Sequence, residues 1–230
     1  MTLVVAHRGA SAANPPGNTP AAFAASASLG ADWVELDVHC TADGGLAVHH
    51  DPHLVDGRIL GEMKAADLPD FVPLLSEVLE LTAGIGVNVE IKPDGILALR
   101  PTLIDGVVSL LESFGDSERF LVTSFDLSII NSVRSIAPSI ATGFLVVSVS
   151  GDGDGDGDAI AVTAAQGHKA INPWHALVDA EVVRRAHDHG LEVNVWTVDD
   201  PERMRELIEF GVDAIITNVP DVCRAVIDAG

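Results

Sequence analysis

Short apolar runs recur along this chain, and most are separated by stretches whose apolar positions follow a helical period. Strands are predicted at 3–9, 33–41, 46–51, 86–92, 119–125, 142–147, 170–173, 192–198 and 214–218. Helices are predicted at 19–29, 74–81, 97–114, 127–136, 179–189, 201–210 and 220–229. Asn18-Thr19-Pro20, Asp200-Pro201 and Val219-Pro220-Asp221 are helix starts, with Pro in the first turn, and Gly30, Gly190 and Gly211 stand where helices stop. A strand followed by a helix, repeated, implies parallel strands joined by helical crossovers. Asp43-Gly44 is the exception, a hairpin signal between two strand patterns. With the hairpin counted as one position, eight βα positions remain. The expected fold is therefore a (β/α)8 barrel of the α/β class. The Gly-x-Gly-x-x-Gly fingerprint of open dinucleotide-binding sheets is absent.

Polar residues interrupt this pattern where a barrel would keep its lumen. In Trp33-Val34-Glu35-Leu36-Asp37-Val38 the three aliphatic residues share one face, and Glu35 and Asp37 share the other. Two inward carboxylates one residue apart repel each other unless a cation lies between them. Such oxygen ligands suit Mg2+ or Ca2+. Val87-Asn88-Val89-Glu90-Ile91-Lys92 repeats the device. Glu90 is the natural third carboxylate. Lys92 is placed to meet an anion at the barrel mouth, with an internal Glu–Lys ion pair as the structural alternative.

His7 ends the first strand and would reach the same mouth. A two-residue turn at Asp43-Gly44 would set His50 opposite Asp37 and turn both inward. A turn that includes Gly45 would set Asp51 there and bring His49 to the inner face, so periodicity alone leaves both histidines open. Two histidines beside a metal and an anion make an acid–base pair suited to neutral pH. Arg8 has the opposite strand parity to His7 and needs a bend at Gly9 to turn inward, where its planar fork would suit a phosphate. Trp196 shares a face with Asn194 and is either an aromatic wall of the mouth or core. Asn172, Ser124 and Asn218 also end strands and are candidate hydrogen-bond donors.

The chain has 230 residues, 47% of them apolar, and a net charge of −21. One domain spanning 1–230 without a large insertion is expected. The negative charge disfavours nucleic-acid backbones and anionic membranes as partners. No run approaches the roughly 20 apolar residues of a membrane span, so stable membrane insertion is not expected. The N-terminal residues lack the basic and cleavage signals of a signal peptide. Cys40 and Cys223 form no disulfide framework, and a cytoplasmic setting is expected. The run Ser150-Gly151-Asp152-Gly153-Asp154-Gly155-Asp156-Gly157-Asp158 is expected to be a mobile acidic loop. A calcium loop of the EF-hand type would need Glu at its twelfth position, which is Thr163 counted from Asp152.

Taken together, His7-Arg8-Gly9, Pro16-Gly17-Asn18-Thr19, Ala22-Phe23, Glu35-Leu36-Asp37-Val38, Thr41-Ala42-Asp43-Gly44 and Val48-His49-His50-Asp51 resemble the glycerophosphodiester phosphodiesterase family. Val89-Glu90-Ile91-Lys92, Ser124-Phe125, Val195-Trp196-Thr197-Val198-Asp199 and Ile216-Thr217-Asn218-Val219-Pro220 extend the likeness over nearly the whole chain, in order. The resemblance implies a TIM barrel of the PLC-like phosphodiesterase type that hydrolyses a small-molecule glycerophosphodiester to sn-glycerol 3-phosphate and an alcohol. It implies one divalent cation on Glu35, Asp37 and Glu90, and His7 and His50 as the acid–base pair in an unassigned order. It selects His50 over His49, and with it the two-residue turn. Arg8 and Lys92 would hold phosphate oxygens. The family's glutamate before Asn-Thr is Gly17 here, so one carboxylate at the rim is missing. Two other readings compete: a lysophospholipase D-like activity on a lipid diester, and a non-catalytic phosphodiester-binding barrel.

Overall fold

The computed structural model describes residues 1–149 and 158–230. Strands β1 (Leu3–His7), β2 (Trp33–Cys40), β3 (Leu46–Val48), β4 (Gly86–Ile91), β5 (Phe120–Ser124), β6 (Ala141–Val146), β7 (Ala170–Pro173), β8 (Glu192–Val195) and β9 (Ala214–Thr217) form one sheet. Eight of them pair in parallel, β1-β2-β4-β5-β6-β7-β8-β9, and the β9–β1 pairing closes the cylinder. Helices α1 (Pro20–Ser26), α2 (Leu75–Leu81), α3 (Arg100–Phe114), α4 (Leu127–Ile136), α5 (Ala159–Ala165), α6 (Ala180–Asp188), α7 (Pro201–Phe210) and α8 (Pro220–Asp228) connect them. The expected (β/α)8 barrel is the observed fold.

Among the described residues, short β3 is the one antiparallel member. Val38 pairs with Val48 on one edge and with Ile91 of β4 on the other. β1 pairs with β2 only as far as His7↔Glu35. β3 therefore takes over the edge of β2 that β1 leaves when its chain turns away after His7. The observed register, Val38↔Val48 and Cys40↔Leu46, corrects both registers considered from the sequence. Thr41 N–H donates to the Gly45 carbonyl at 2.8 Å, so the loop is Ala42-Asp43-Gly44 and Asp37 stands opposite His49. Gly44, at φ 88°, supplies the left-handed residue such a three-residue loop needs. The strand predicted at 46–51 stops at Val48, because β2 offers pairing only from Val38 to Cys40. The strand predicted at 192–198 likewise ends at Val195.

Helix α5 has no counterpart among the predicted helices. Asp158 caps it, its side chain accepting from Ile160 N–H. The remaining expectations for the Gly-Asp run fall on 150–157, outside the described residues.

The outward faces of the strands make the core. Val34, Leu36, Val38, Val87, Val89 and Ile91 are fully buried against Leu103, Val107 and Leu111 of α3 and Ile129 and Val133 of α4. A second cluster joins Ile171, Val193, Val195 and Ile215 to Ile160, Val183, Met204, Leu207 and Cys223. Each such aliphatic side chain contributes about 1.5–3 kcal/mol on burial. That outer core lets the lumen carry polar groups: Glu35, Asp37, Asn88, Glu90, Thr123, Asn172 and Asn194 are all buried there. Cys40 and Cys223 are buried free thiols. Among the described residues no helix is long and apolar enough to cross a membrane.

Candidate active site

Parallel pairing sets the polar residues in layers. His7 is the register partner of Glu35, and Asp37 that of Glu90. Ligand oxygens of Glu35, Asp37 and Glu90 all lie within 4.8 Å of one another. These residues line, or lie beside, a cavity of about 180 Å3 at the C-terminal mouth, which His7, Arg8, His50, Lys92 and Trp196 also line. The position fits the general location of ligand sites in such barrels. A larger cavity of about 680 Å3 opens at the opposite end beside Trp33, Asn172 and Asn194, and holds none of the charged cluster.

The first strand ends in a backbone turn that re-aims its last residues. Arg8 has φ 57° and Gly9 φ 74°. A Cβ at Gly9 would sit 2.7 Å from the backbone of Ala22, so glycine alone lets α1 approach. Arg8 itself, not only Gly9, adopts the left-handed conformation, and this brings its side chain inward. Its N–H donates to Glu35 Oε2 at 2.9 Å, and its Nε lies 3.3 Å from Asp37 Oδ2. Lys92 Nζ lies 3.0 Å from Glu90 Oε1 and 3.4 Å from Asp37 Oδ1. Glu90 and Lys92 therefore stand in contact inside the barrel, as the structural alternative required.

Charge and burial sort the three acids. Burial, then the neighbouring Asp37 and Glu90, hold the Glu35 carboxyl well above the usual carboxylate range. Burial and Asp37 push Glu90 up to about 7. Burial acts the same way on Asp37, but Lys92, Arg8 and His50 outweigh it and keep that carboxyl below its ordinary value. One acid is charged by the two cations, and the other two resist ionisation until more positive charge arrives. Three hard oxygen donors in that condition fit a divalent cation.

His7 donates through Nδ1–H to Asn218 Oδ1 at 2.7 Å, which leaves Nε2 turned to the site, 3.9 Å from Glu35 Oε2. Asn218 Nδ2 donates to Asp199 Oδ2 at 2.7 Å, so a chain from Asp199 through Asn218 fixes the ring. Burial, then Arg8, lower the His7 pKa against the opposing pull of Asn218 and Asp37. His50 reaches the cavity from the irregular turn after β3, and its Nδ1–H donates to Asp51 Oδ1 at 2.7 Å. His49 instead donates to the Asp51 carbonyl at 2.9 Å and does not line the cavity.

Trp196 stands edge to face with Phe125, ring centroids 5.4 Å apart, and its Nε1–H donates to the Asn172 carbonyl at 2.7 Å. Of the other strand-end candidates, Asn218 serves the site through His7. Ser124 Oγ donates to the Ile91 carbonyl within the sheet, and the Asn172 side chain lies toward the lower cavity. Asn18 went unrecognised beyond its place at a helix start. Its Nδ2 donates to Asp37 Oδ2 at 2.7 Å, and its own N–H to the Arg8 carbonyl at 2.8 Å. The only trace of this in the sequence is its place in Pro16-Gly17-Asn18-Thr19. The helix cap is Thr19, whose side chain accepts from Ala22 N–H.

A closed parallel barrel with buried acids, two basic side chains and two histidines at its C-terminal mouth has the features of a phosphoester-processing enzyme. Residues 7–222 match the glycerophosphoryl diester phosphodiesterase family, and the chain belongs to it. The glycerophosphodiester phosphodiesterase of Caldanaerobacter subterraneus is 33% identical, over 96% of this chain and 95% of that protein. That of Bacillus altitudinis is 31% identical, over 96% of each. Among solved structures, a putative glycerophosphoryl diester phosphodiesterase from Silicibacter pomeroyi superposes with TM-score 0.90 at 29% identity, covering 100% of this chain and 94% of that one. A phosphodiesterase from Oleispira antarctica, in complex with the product sn-glycerol-3-phosphate, shares the fold with TM-score 0.88 at 24% identity, covering 99% and 97%.

Proposed function

We propose that this chain hydrolyses glycerophosphodiesters to sn-glycerol 3-phosphate and an alcohol, with His7 and His50 moving the protons. The observation that carries this reading is the convergence of three acids, Arg8, Lys92 and both histidines on one small cavity. Glu35, Asp37 and Glu90 would hold one divalent cation, Mg2+ or Ca2+, which when bound supplies positive charge to the phosphoryl oxygens.

Arg8 and Lys92, both beside Asp37, turn to phosphate oxygens once the acids have another counter-charge, and there they stabilise charge that grows in the transition state. His7 acts as base. Burial and Arg8 keep it neutral, and Asn218 fixes its Nδ1–H, so Nε2 holds the lone pair. It takes a proton from water as the oxygen bonds to phosphorus. His50 gives a proton to the leaving alkoxide as the other P–O bond breaks. The same pair serves if the substrate's glycerol hydroxyl attacks first and water then opens the cyclic phosphate. Trp196 and Phe125 line the same cavity as the charged groups and would pack on the carbon skeleton.

The test is turnover of glycerophosphocholine, read as glycerol 3-phosphate formed. His7→Ala and His50→Ala are each expected to lose about 10²-fold or more in kcat. Near-wild-type rates in both would refute the assignment.

One observation favours a second reading, a lipid diester of the lysophosphatidylcholine type. Phe125, Val147 and Trp174 follow neighbouring strands β5, β6 and β7 at the mouth and are 37%, 66% and 44% exposed. A preference for lysophosphatidylcholine over glycerophosphocholine in the same assay would select it.

A further inference from the structure

We infer that His39 is a positioning residue for His50, an inference that rests on the acid–base reading of His50 given above. Glu35, Asp37 and His39 share the inward face of β2, but His39 stands one step above the acids. The residue is 2% exposed. Nε2 lies 3.1 Å from the backbone carbonyl of His50. A carbonyl oxygen only accepts, so the proton is on Nε2 and His39 is the donor. The buried Nδ1 has no partner among the described residues. The ring therefore makes a single hydrogen bond, and makes it to the residue whose side chain enters the cavity. Burying an imidazole on a strand costs stability unless its polar atoms are used, and an aliphatic residue would fill the same space without that cost.

The segment it holds has little else to fix it. β3 ends at Val48, and residues 49–51 belong to no strand. Two of the described hydrogen bonds tie these three residues to β2: His49 N–H to the Asp37 carbonyl at 3.0 Å, and His39 to the His50 carbonyl. The others shown there, His49 to the Asp51 carbonyl and His50 to Asp51 Oδ1, lie within the turn and move with it. The backbone bond anchors one end. His39 grips the peptide of His50 itself and so sets where its imidazole stands relative to the cavity. A displacement of about 1 Å at a reacting group can cost about 10²-fold in rate.

The experiment uses two variants of similar bulk. Gln at position 39 carries an amide nitrogen that reaches as far as imidazole Nε2. The amide of Asn ends one bond short, at the place of Nδ1. kcat and KM for glycerophosphocholine and the melting temperature are measured for His39→Asn, His39→Gln, His50→Ala and the double variant His39→Asn/His50→Ala. His39→Asn is expected to lose about 10-fold or more in kcat with KM within about 2-fold of wild type, and His39→Gln to recover most of the loss at a similar melting temperature. In the His50→Ala background, His39→Asn is expected to cause no further loss of kcat. Full kcat in His39→Asn, equal losses in Asn and Gln, or the same fold-loss in both backgrounds would overturn the inference. A wild-type rate in His50→Ala would overturn the acid–base reading itself, and the two failures are thereby told apart.

Discussion

Residues at strand ends decide this site, and they are where side-chain alternation stops applying. By alternation Arg8 points away from His7, yet φ 57° at Arg8 turns it onto Asp37. Gly9 in the sequence marks a bend without saying which residue carries it. His50 is a similar case. Both hairpin registers drawn from Asp43-Gly44 are wrong, and His50 reaches the cavity because the chain leaves the strand after Val48. Inside the strands alternation holds, and Glu35, Asp37 and Glu90 point where it puts them. Asn18 and His39 were illegible because their roles depend on contacts with Asp37 and with a backbone carbonyl, which no spacing encodes. Gly17, where the family resemblance implies a glutamate, stands at a crowded backbone position. It sits at φ 85°, and a Cβ there would lie 2.9 Å from both Arg8 Cβ and Ser11 Cβ. Gly17→Ala is expected to lose about 1–3 kcal/mol in denaturant unfolding, and to lower kcat by disturbing Arg8. Unchanged stability would show that this loop relaxes freely.

At the scale of elements, strong period and punctuation were enough. The predicted 127–136 and 201–210 coincide with α4 and α7, and 170–173 with β7. The strand order follows from the right-handed βα connection once eight units are counted. Overrun occurs where a partner is missing, as in β3. The missed α5 follows the Gly-Asp run, whose composition hid the cap at Asp158, and of its two buried positions, Ile160 and Thr163, only one is apolar. Close packing also fixes small residues within elements. Gly86 opens β4 beneath the Trp33 ring, and a Cβ there would lie 2.0 Å from Trp33 Cδ2. Gly86→Ala is expected to destabilise by about 1–3 kcal/mol, read as a lower denaturant midpoint with the slope unchanged. An unchanged midpoint would mean that Trp33 swings aside without cost.

For the molecule as a whole, the buried acids link stability to pH. Glu90 is pushed from 4.5 up to about 7, and Glu35 is raised as well, so the folded chain keeps protons that the unfolded chain has released. In that window the native state binds more protons, and stability falls as pH rises from about 4.5 through about 7. Asp37, shifted down, adds stability above its unfolded value of 3.8 that is lost as pH falls. His7, His39, His168 and His175, whose pKa values burial lowers, act the other way and add stability as pH rises through their unfolded value of 6.5. The melting temperature of the metal-free protein relative to metal-free Glu90→Gln isolates the acid. That difference is expected to fall between about pH 5 and pH 8, while added Mg2+ or Ca2+ is expected to raise the melting temperature of the unaltered protein more at pH 8 than at pH 5. A difference that stays flat or rises across that range would show Glu90 to be ionised without a cation.

The central claim is that Glu35, Asp37 and Glu90 act together as one cation site. Calorimetric titration of Mg2+ and of Ca2+ into the metal-free chain, at pH 8, tests it most directly. The expected result is one site per chain for at least one of the two ions, weakened more than about 100-fold by each of Glu35→Gln, Asp37→Asn and Glu90→Gln. Binding of unchanged affinity in all three variants, or no binding of either ion to the unaltered chain, would contradict it.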